Sequence, residues 1–208
     1  MPTPTPGPAY RILSERLLLR PWTPEDAPLL KATLDVNREH LSPWMPWARQ
    51  EEPLQHYIDR LRHFRGNFDL GNDFVYAIFS RDGQQVLGSS GLHTRLETKA
   101  LEIGYWVHVD FINRGLATEC SAALTRAAIE IHQVDRVEIH CAPLNLASAT
   151  VPRKLGYTHE ATLRRRTHWS DEEVEDSMIW TLFADQYPDS PATRYAIEAY
   201  DAIGRRII

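Results

Sequence analysis

The sequence lacks the features that would assign it to several common classes of protein. No apolar run approaches the roughly 20 residues that a membrane helix needs, and the N-terminus lacks the charged-then-apolar pattern of a secretion signal. The two cysteines, Cys120 and Cys141, each lie in an apolar segment, so we expect buried free thiols rather than a disulfide or a metal site. The nine histidines form no HxH, HExxH or cysteine–histidine spacing. We therefore predict a cytoplasmic protein with no metal and no membrane partner.

The net charge of -5 and the pI near 6.0 also argue against a general attraction to nucleic acids. With 208 residues, 43% of them apolar, the chain is long enough for one domain with a full core, which we expect over residues 10–187. Residues 1–9 are rich in proline and threonine and are predicted to form a disordered tail. Residues 188–208 are predicted to form a C-terminal helical extension, which could pack on the domain or on a partner chain in a homodimer.

The most informative stretch runs from Leu101 to Leu124, where an extended, aromatic-rich segment leads through a glycine turn into a helical pattern. One face of that pattern is apolar and consists of Ala117, Cys120, Leu124, Ala128 and Ile131. The unpaired N–H groups of residues 114–118 at the helix start would favour an anion. Gly115 would let a ligand approach the backbone, and Arg114 adds a positive charge. Because the sequence has neither GxxxxGK[ST] nor GxGxxG, it predicts a phosphate-binding turn of a different kind.

The flanking segments predict the order strand, two helices, three strands, helix, strand, helix, two strands. This order is typical of an α/β or α+β layered domain around a mixed sheet. Gly88 and Gly91 interrupt one strand and predict either a bulge or a close ligand approach. Pro152 lies inside a short predicted helix that ends at Gly156. Since proline removes a backbone donor, we expect this helix to start late, near Ser148, or to kink.

Two motifs resemble those of the GNAT N-acetyltransferase superfamily, especially its RimJ/RimL-like branch. Gly104-Tyr105-Trp106 followed by Arg114-Gly115-Leu116-Ala117-Thr118 is similar to the pyrophosphate-binding motif of that family. Asn145 and Ser148, followed by Lys154-Leu155-Gly156-Tyr157, resemble a second motif. Ile112 and Asn113 depart from the first motif, but asparagine tolerates unusual backbone angles, so the turn can persist, although coenzyme affinity could be lower. The resemblance covers residues 16–183 and implies a GNAT-like mixed, mostly antiparallel sheet flanked by helices.

The resemblance implies direct transfer of an acetyl group from acetyl-CoA to a primary amine. Backbone N–H groups around Val107 to Val109 would hold the acetyl carbonyl, the turn before the helix would hold the pyrophosphate, and Asn145 would bind the pantetheine arm. The implied coenzyme-binding residues are Val107, His108, Val109, Arg114, Gly115, Leu116, Ala117, Thr118 and Asn145.

The same resemblance implies Ser148 as the acid near the coenzyme sulfur, although this serine could instead cap the following helix. The glutamate that serves as base in RimL-like enzymes falls on Thr167, so Glu102 and His168 are the candidate bases, and each could equally be a surface residue at a strand edge. A histidine with a pKa of about 6.5 accepts a proton more readily from an α-amine, at about 7.7–8.0, than from a lysine, at about 10.4. This difference favours an α-amine acceptor, such as a protein N-terminus or a small aminoacyl compound.

The loop from Asn37 to Trp47 has two prolines and several aromatic residues, which either pack over the core or line a pocket. A similar stretch lies beside the acceptor site in the RimJ/RimL-like branch, which implies acceptor contacts from Arg38, His40, Trp44 and Trp47. Two other functions remain open. One is an acyl-CoA-binding regulator without turnover, suggested by the departures from the family motifs. The other is a protein-interaction module that uses the tryptophan loop and the C-terminal segment.

Overall fold

The computed structural model describes residues 7–94, 96, 99–170 and 173–208, except for the side chain of His168. Nine strands within these ranges form one sheet: β1 Arg11–Leu13, β2 Leu17–Pro21, β3 Phe74–Ser80, β4 Val86–His93, β5 Ala100–Val107, β6 Arg136–Cys141, β7 Thr158–His168, β8 Val174–Phe183 and β9 Glu198–Tyr200. Its order is β7-β8-β6-β5-β4-β3-β2-β1-β9. The helices are α1 Ala27–Leu41, α2 Leu54–Leu70, α3 Leu116–Arg126 and α4 Leu146–Leu155. All neighbouring strands are antiparallel except β5 and β6, so the predicted fold class is confirmed.

The parallel strands β5 and β6 separate at their carboxyl ends. Their paired residues run from Ala100 with Arg136 to Glu102 with Glu138, whereas β5 continues to Val107. Over the same distance β6 stays paired with β8. The gap therefore opens at the end of the sheet from which β5 leads to α3 and β6 leads to α4. A ligand can reach the backbone of β5 through this gap.

Each face of the sheet has its own hydrophobic core. Helices α3 and α4 pack on one face, together with Ile103 and Tyr105 of β5. Helices α1 and α2 pack on the other face, together with Trp106. Because successive side chains of a strand point to opposite faces, Glu102 belongs to the α1/α2 face. Groups that act on opposite sides of a ligand in the gap can thus come from one strand.

Both ends of the described chain join the core more closely than the sequence predicts. Residues 1–6 of the predicted tail lie outside the described residues, but Ala9 is fully buried and its carbonyl accepts a hydrogen bond from Tyr76 Oη at 2.9 Å. The predicted C-terminal helix is wrong: residues 191–194 form one 3-10 turn, and β9 pairs with β1. The edge of β1 offers unpaired backbone groups, which the added strand satisfies. The C-terminal extension therefore adds one short strand to the sheet.

Helix α4 starts earlier than expected. Asn145 is its N-cap, and the Asn145 Oδ1 accepts the Ser148 N–H at 3.0 Å, so the predicted start near Ser148 is wrong. Pro152 lies in the last turn, where its missing N–H removes the usual helical donor to the Ser148 carbonyl. The hydroxyl of Tyr105 donates to that carbonyl at 3.1 Å instead. A tertiary hydrogen bond thus replaces the helical one.

Cys120 and Cys141 are buried free thiols, as the sequence predicts. Among the described residues, no group of three or more His, Cys, Asp or Glu side chains could hold a metal ion. In the same part of the chain, no helix is long and apolar enough to cross a membrane.

Candidate active site

The gap between β5 and β6 opens into a cavity of about 1000 Å³. The lining comes from the loop between α1 and α2, from β5 and β6, from the starts of α3 and α4, and from the β7–β8 hairpin. Glu102 and Trp106 contribute from the α1/α2 face, and Tyr105 and Ser148 from the α3/α4 face. The cavity therefore connects the two faces of the sheet, and a ligand inside it can meet different chemical groups on each.

The turn before α3 has the geometry of an anion site. Asn113 and Gly115 both have positive φ angles, 60° and 78°, so the expectation that the turn persists with asparagine is confirmed. Helical bonding begins with the Glu119 N–H, which donates to the Gly115 carbonyl at 3.0 Å. The N–H groups of residues 116–118 have no acceptor in the helix and can donate to a ligand. Six residues of this turn line the cavity: Ile112, Asn113, Gly115, Leu116, Ala117 and Thr118.

Two arginines support the turn from outside the cavity lining. The Arg114 Nη2 donates to the Asp110 carbonyl at 2.7 Å, and the guanidinium lies 5.1 Å from the centre of the Phe111 ring. Arg16 Nη1 donates to the Arg114 carbonyl at 2.8 Å, while its Nε donates to the buried Glu119 carboxylate at 2.7 Å. Arg16 therefore ties the turn to the first turn of α3, a contact that sequence reasoning missed because the two segments are distant in the chain.

Hydroxyl groups meet on the α3/α4 side of the cavity. Tyr105 Oη lies 3.0 Å from Ser148 Oγ and 3.1 Å from the Ser148 carbonyl oxygen. Burial raises the pKa of Tyr105 well above its usual value, so this side chain stays protonated at neutral pH. Asn145 also lines the cavity, and because its Oδ1 caps α4, its Nδ2 is the group that can donate to a ligand. The cap role considered for Ser148 therefore belongs to Asn145.

A histidine between two carboxylates occupies the α1/α2 side of the cavity. His140 Nε2 lies 2.6 Å from Glu138 Oε2, and His140 Nδ1 lies 3.5 Å from Glu102 Oε2. Arg136 Nε donates to Glu138 at 2.7 Å. The hydrogen bond from His140, together with Arg136, holds the pKa of Glu138 below its usual range despite burial. Glu102 and His140 line the cavity, and Glu102 is only 7% exposed, so a proton accepted inside can pass along this pair.

His140 and Glu138 were not identified from the sequence. The alternation in RVEIHCA places Arg136, Glu138 and His140 on one face of a strand, and this shared face is the sequence feature that could have indicated them as a group. Only the parallel pairing of β6 with β5 brings that face beside Glu102.

The backbone donors predicted for the acetyl carbonyl are only partly available. The His108 N–H donates to the Leu87 carbonyl at 2.8 Å, and the Val109 N–H donates to Asn37 Oδ1 at 2.6 Å, so both groups already have acceptors within the protein. Val107 lines the cavity. The N–H groups of successive strand residues point to opposite edges of the strand. Because the His108 N–H points to β4, the Val107 N–H points to the gap between β5 and β6.

The last turn of α1 brings His40 to the cavity, and the loop between α1 and α2 brings Trp44 and Trp47. The two tryptophans are 37% and 42% exposed, which leaves ring surface for a ligand. Arg38 lies outside the lining, because its Nη1 donates to the Ala48 carbonyl at 3.2 Å and holds the loop. The structure therefore separates Arg38 from the other three predicted acceptor contacts.

The β7–β8 hairpin faces this loop. Thr167 and Trp169 line the cavity, and Arg49 joins the loop to the hairpin through both oxygens of Glu173, at 2.5 and 2.6 Å. The backbone of His168 pairs with β8, but its side chain lies outside the described residues. Its role as a base stays a prediction.

A cavity between two parallel strands, with unpaired helix N–H groups at its edge, is an arrangement suited to a transferase that uses a phosphorylated coenzyme. The family model described as acetyltransferase (GNAT) domain matches residues 16–158, and the chain belongs to this family. It is an N-acetyltransferase that uses acetyl-CoA, as the motifs predict. A regulator without turnover is not favoured.

Curated relatives carry the same activity. The putative ribosomal N-acetyltransferase YdaF of Bacillus subtilis (strain 168) is 28% identical over 156 residues, which cover 73% of this chain and 83% of that protein. The ribosomal protein uS5-alanine N-acetyltransferase of Escherichia coli (strain K12) is 25% identical over 157 residues, covering 74% and 80%.

Solved structures show the same fold. Mycobacterium smegmatis RimJ in complex with CoA-disulfide aligns with a TM-score of 0.79 at 24% identity, covering 91% of this chain and 94% of that one. The ribosomal L7/L12 α-N-protein acetyltransferase RimL in complex with coenzyme A has a TM-score of 0.74 at 21% identity, covering 82% and 95%.

Proposed function

We propose that the enzyme acetylates the α-amine of a protein N-terminus. The observation that carries this proposal is the position of Glu102 and His140, a carboxylate and an imidazole inside a cavity whose outer part is lined by exposed tryptophans. A base of this kind acts better on an α-amine than on the more basic lysine amine. The names of the two curated relatives, which concern ribosomal proteins, support a protein acceptor. Such an acceptor also fits the predicted cytoplasmic location, and a homodimer stays a prediction.

In this proposal the α3 side of the cavity binds acetyl-CoA. The N–H groups of residues 116–118 bind the pyrophosphate, with Arg114 adding positive charge nearby. Asn145 Nδ2 donates to the pantetheine arm, and the Val107 N–H donates to the acetyl carbonyl, whose oxygen gathers negative charge as the amine attacks. The gap between β5 and β6 thereby orients the thioester toward the α1/α2 face.

The two proton transfers take place on opposite faces of the sheet. Glu102 accepts the proton of the entering ammonium group, and His140 Nδ1, 3.5 Å away, carries it toward solvent. Glu138, held by Arg136, keeps the imidazole oriented. On the other face, Ser148 protonates the leaving thiolate. Because of this separation, the base can accept a proton while the acid retains its own.

Two peptides test the acceptor. One has a free N-terminus and no lysine, and the other has a blocked N-terminus and one lysine. We expect thiol release with the first and a kcat/KM about 100-fold lower with the second, because at neutral pH a much smaller fraction of lysine is unprotonated. Thiol release is followed at saturating acetyl-CoA, and mass spectrometry locates the acetyl group. Preferential acetylation of the lysine side chain would contradict the proposed acceptor.

A further inference from the structure

The carbonyl group of Ser148 has an unusual partner. In a regular helix this carbonyl would accept the N–H of the residue four positions later, but that residue is Pro152. The Tyr105 hydroxyl donates to the carbonyl oxygen at 3.1 Å in its place. The phenol oxygen of a strand residue is therefore anchored to the helix turn that carries Ser148.

The same phenol oxygen lies 3.0 Å from Ser148 Oγ, so the carbonyl oxygen and the serine oxygen are at nearly equal distances from it. A small rotation of the phenolic O–H moves its proton from one acceptor to the other. When the phenol donates to the carbonyl, the Ser148 hydroxyl can donate its hydrogen bond to the phenol oxygen. When the phenol donates to Oγ, the serine proton is free to point into the cavity, which both side chains line.

We propose that Tyr105 is a positioning residue that donates to Ser148 Oγ and directs the serine proton at the leaving sulfur. The inference rests on the proposed role of Ser148. As the carbon–sulfur bond breaks, its electron pair stays on sulfur and the Ser148 hydroxyl proton passes to that sulfur. Ser148 then regains a proton from solvent. The acceptor ammonium group loses two protons to solvent through Glu102, one before it attacks and one as the amide forms, so the reaction releases one proton in all. Tyr105 keeps its own proton throughout, in agreement with the raised pKa that burial gives it.

A double-mutant cycle separates this role from general support of the fold. We expect Tyr105→Phe to lower kcat about tenfold in the parent protein and less than twofold in a Ser148→Ala background, with the KM for acetyl-CoA unchanged in both. In both backgrounds the thermal stability should fall equally, because the Ser148 carbonyl loses the same donor. If Tyr105→Phe lowered kcat by the same factor in the parent protein and in the Ser148→Ala background, the inference would be overturned.

Pro152→Ala provides the second arm, because it restores an N–H to the Ser148 carbonyl. In the Tyr105→Phe/Pro152→Ala double variant, we expect thermal stability to return while kcat stays about tenfold low; Pro152→Ala by itself should keep the parent kcat. Recovery of kcat together with stability would show that Tyr105 serves only the helix. A parent protein without turnover on any amine would instead refute the proposed function, so the two failures are distinguishable.

Discussion

The Glu102→Gln variant is expected to lose about 1000-fold in kcat while its affinity for acetyl-CoA stays unchanged. Glu102 is buried, lines the cavity and lies 3.5 Å from His140 Nδ1, so its carboxylate can take the proton of the amine and hand it on. Glutamine keeps the shape of the side chain but cannot accept that proton, and a positioned base contributes about 100- to 10000-fold. Coenzyme affinity is preserved because the pyrophosphate donors lie at the start of α3. Steady-state kinetics and calorimetric titration give the two quantities.

Glu160→Gln is the matched control for this change. Glu160 is also a strand glutamate, but it accepts from Thr181 Oγ1 at 2.6 Å and is not among the residues that line the cavity. Its replacement should leave kcat within about twofold of the parent, as is usual for surface substitutions away from a site. Full activity of Glu102→Gln would remove this carboxylate as the base.

Gly88→Ala is expected to destabilise the fold by more than about 4 kcal/mol, beyond the usual range for single substitutions. A Cβ at Gly88 would lie 2.1 Å from the Trp106 carbonyl oxygen and 3.1 Å from the Val107 Cα. Both contacts are with the backbone of β5, so no side-chain rotation relieves them, and the strand that carries the site must move. Urea unfolding measures the loss, and an insoluble or unfolded product is the extreme of the same result.

Gly66→Ala is the control with the opposite sign. Gly66 lies inside α2, and a Cβ there would meet no atom within 4 Å. Alanine should stabilise the protein by about 0.5–1 kcal/mol, because it restricts the unfolded chain and favours the helix. If Gly88→Ala and Gly66→Ala had the same unfolding midpoint, the close packing of β4 on β5 would be refuted.

The local sequence was sufficient to predict the fold class and the glycine turn before α3. Periodicity and turn residues report local structure, and Asn113 adopts the positive φ that its residue type allows. From the sequence, Gly88 and Gly91 predicted either a bulge or a close approach of a ligand, without deciding between them. The structure shows a register shift at Ile78 and Phe79 opposite Gly88, and the group that approaches Gly88 closely is the backbone of β5.

The remaining features depend on contacts between distant segments. Pro152 predicts a disturbed helix from local sequence, but the Tyr105 hydroxyl, from a distant strand, supplies the missing donor to the Ser148 carbonyl. The C-terminal segment has apolar spacing compatible with a helix, yet part of it pairs with the open edge of β1 as strand β9. His140 becomes a candidate only when parallel pairing sets it beside Glu102. Arg38 has a loop carbonyl within reach, which local sequence does not show.

Calorimetric titration of acetyl-CoA into the Gly115→Asp and Gly204→Asp variants tests whether the coenzyme binds at the start of α3. Both glycines have positive φ, 78° and 81°, so the backbone strain is matched, and a Cβ at Gly204 meets no atom within 4 Å. At Gly115 the added Cβ would lie 3.6 Å from Arg16 Nη2, and the new carboxylate would put a negative charge on the turn whose N–H groups are proposed to bind the pyrophosphate. We expect acetyl-CoA affinity to fall about 100-fold, or about 2.8 kcal/mol, for Gly115→Asp and to match the parent for Gly204→Asp. Equal, undiminished affinity in both variants would contradict the placement of the coenzyme at the start of α3.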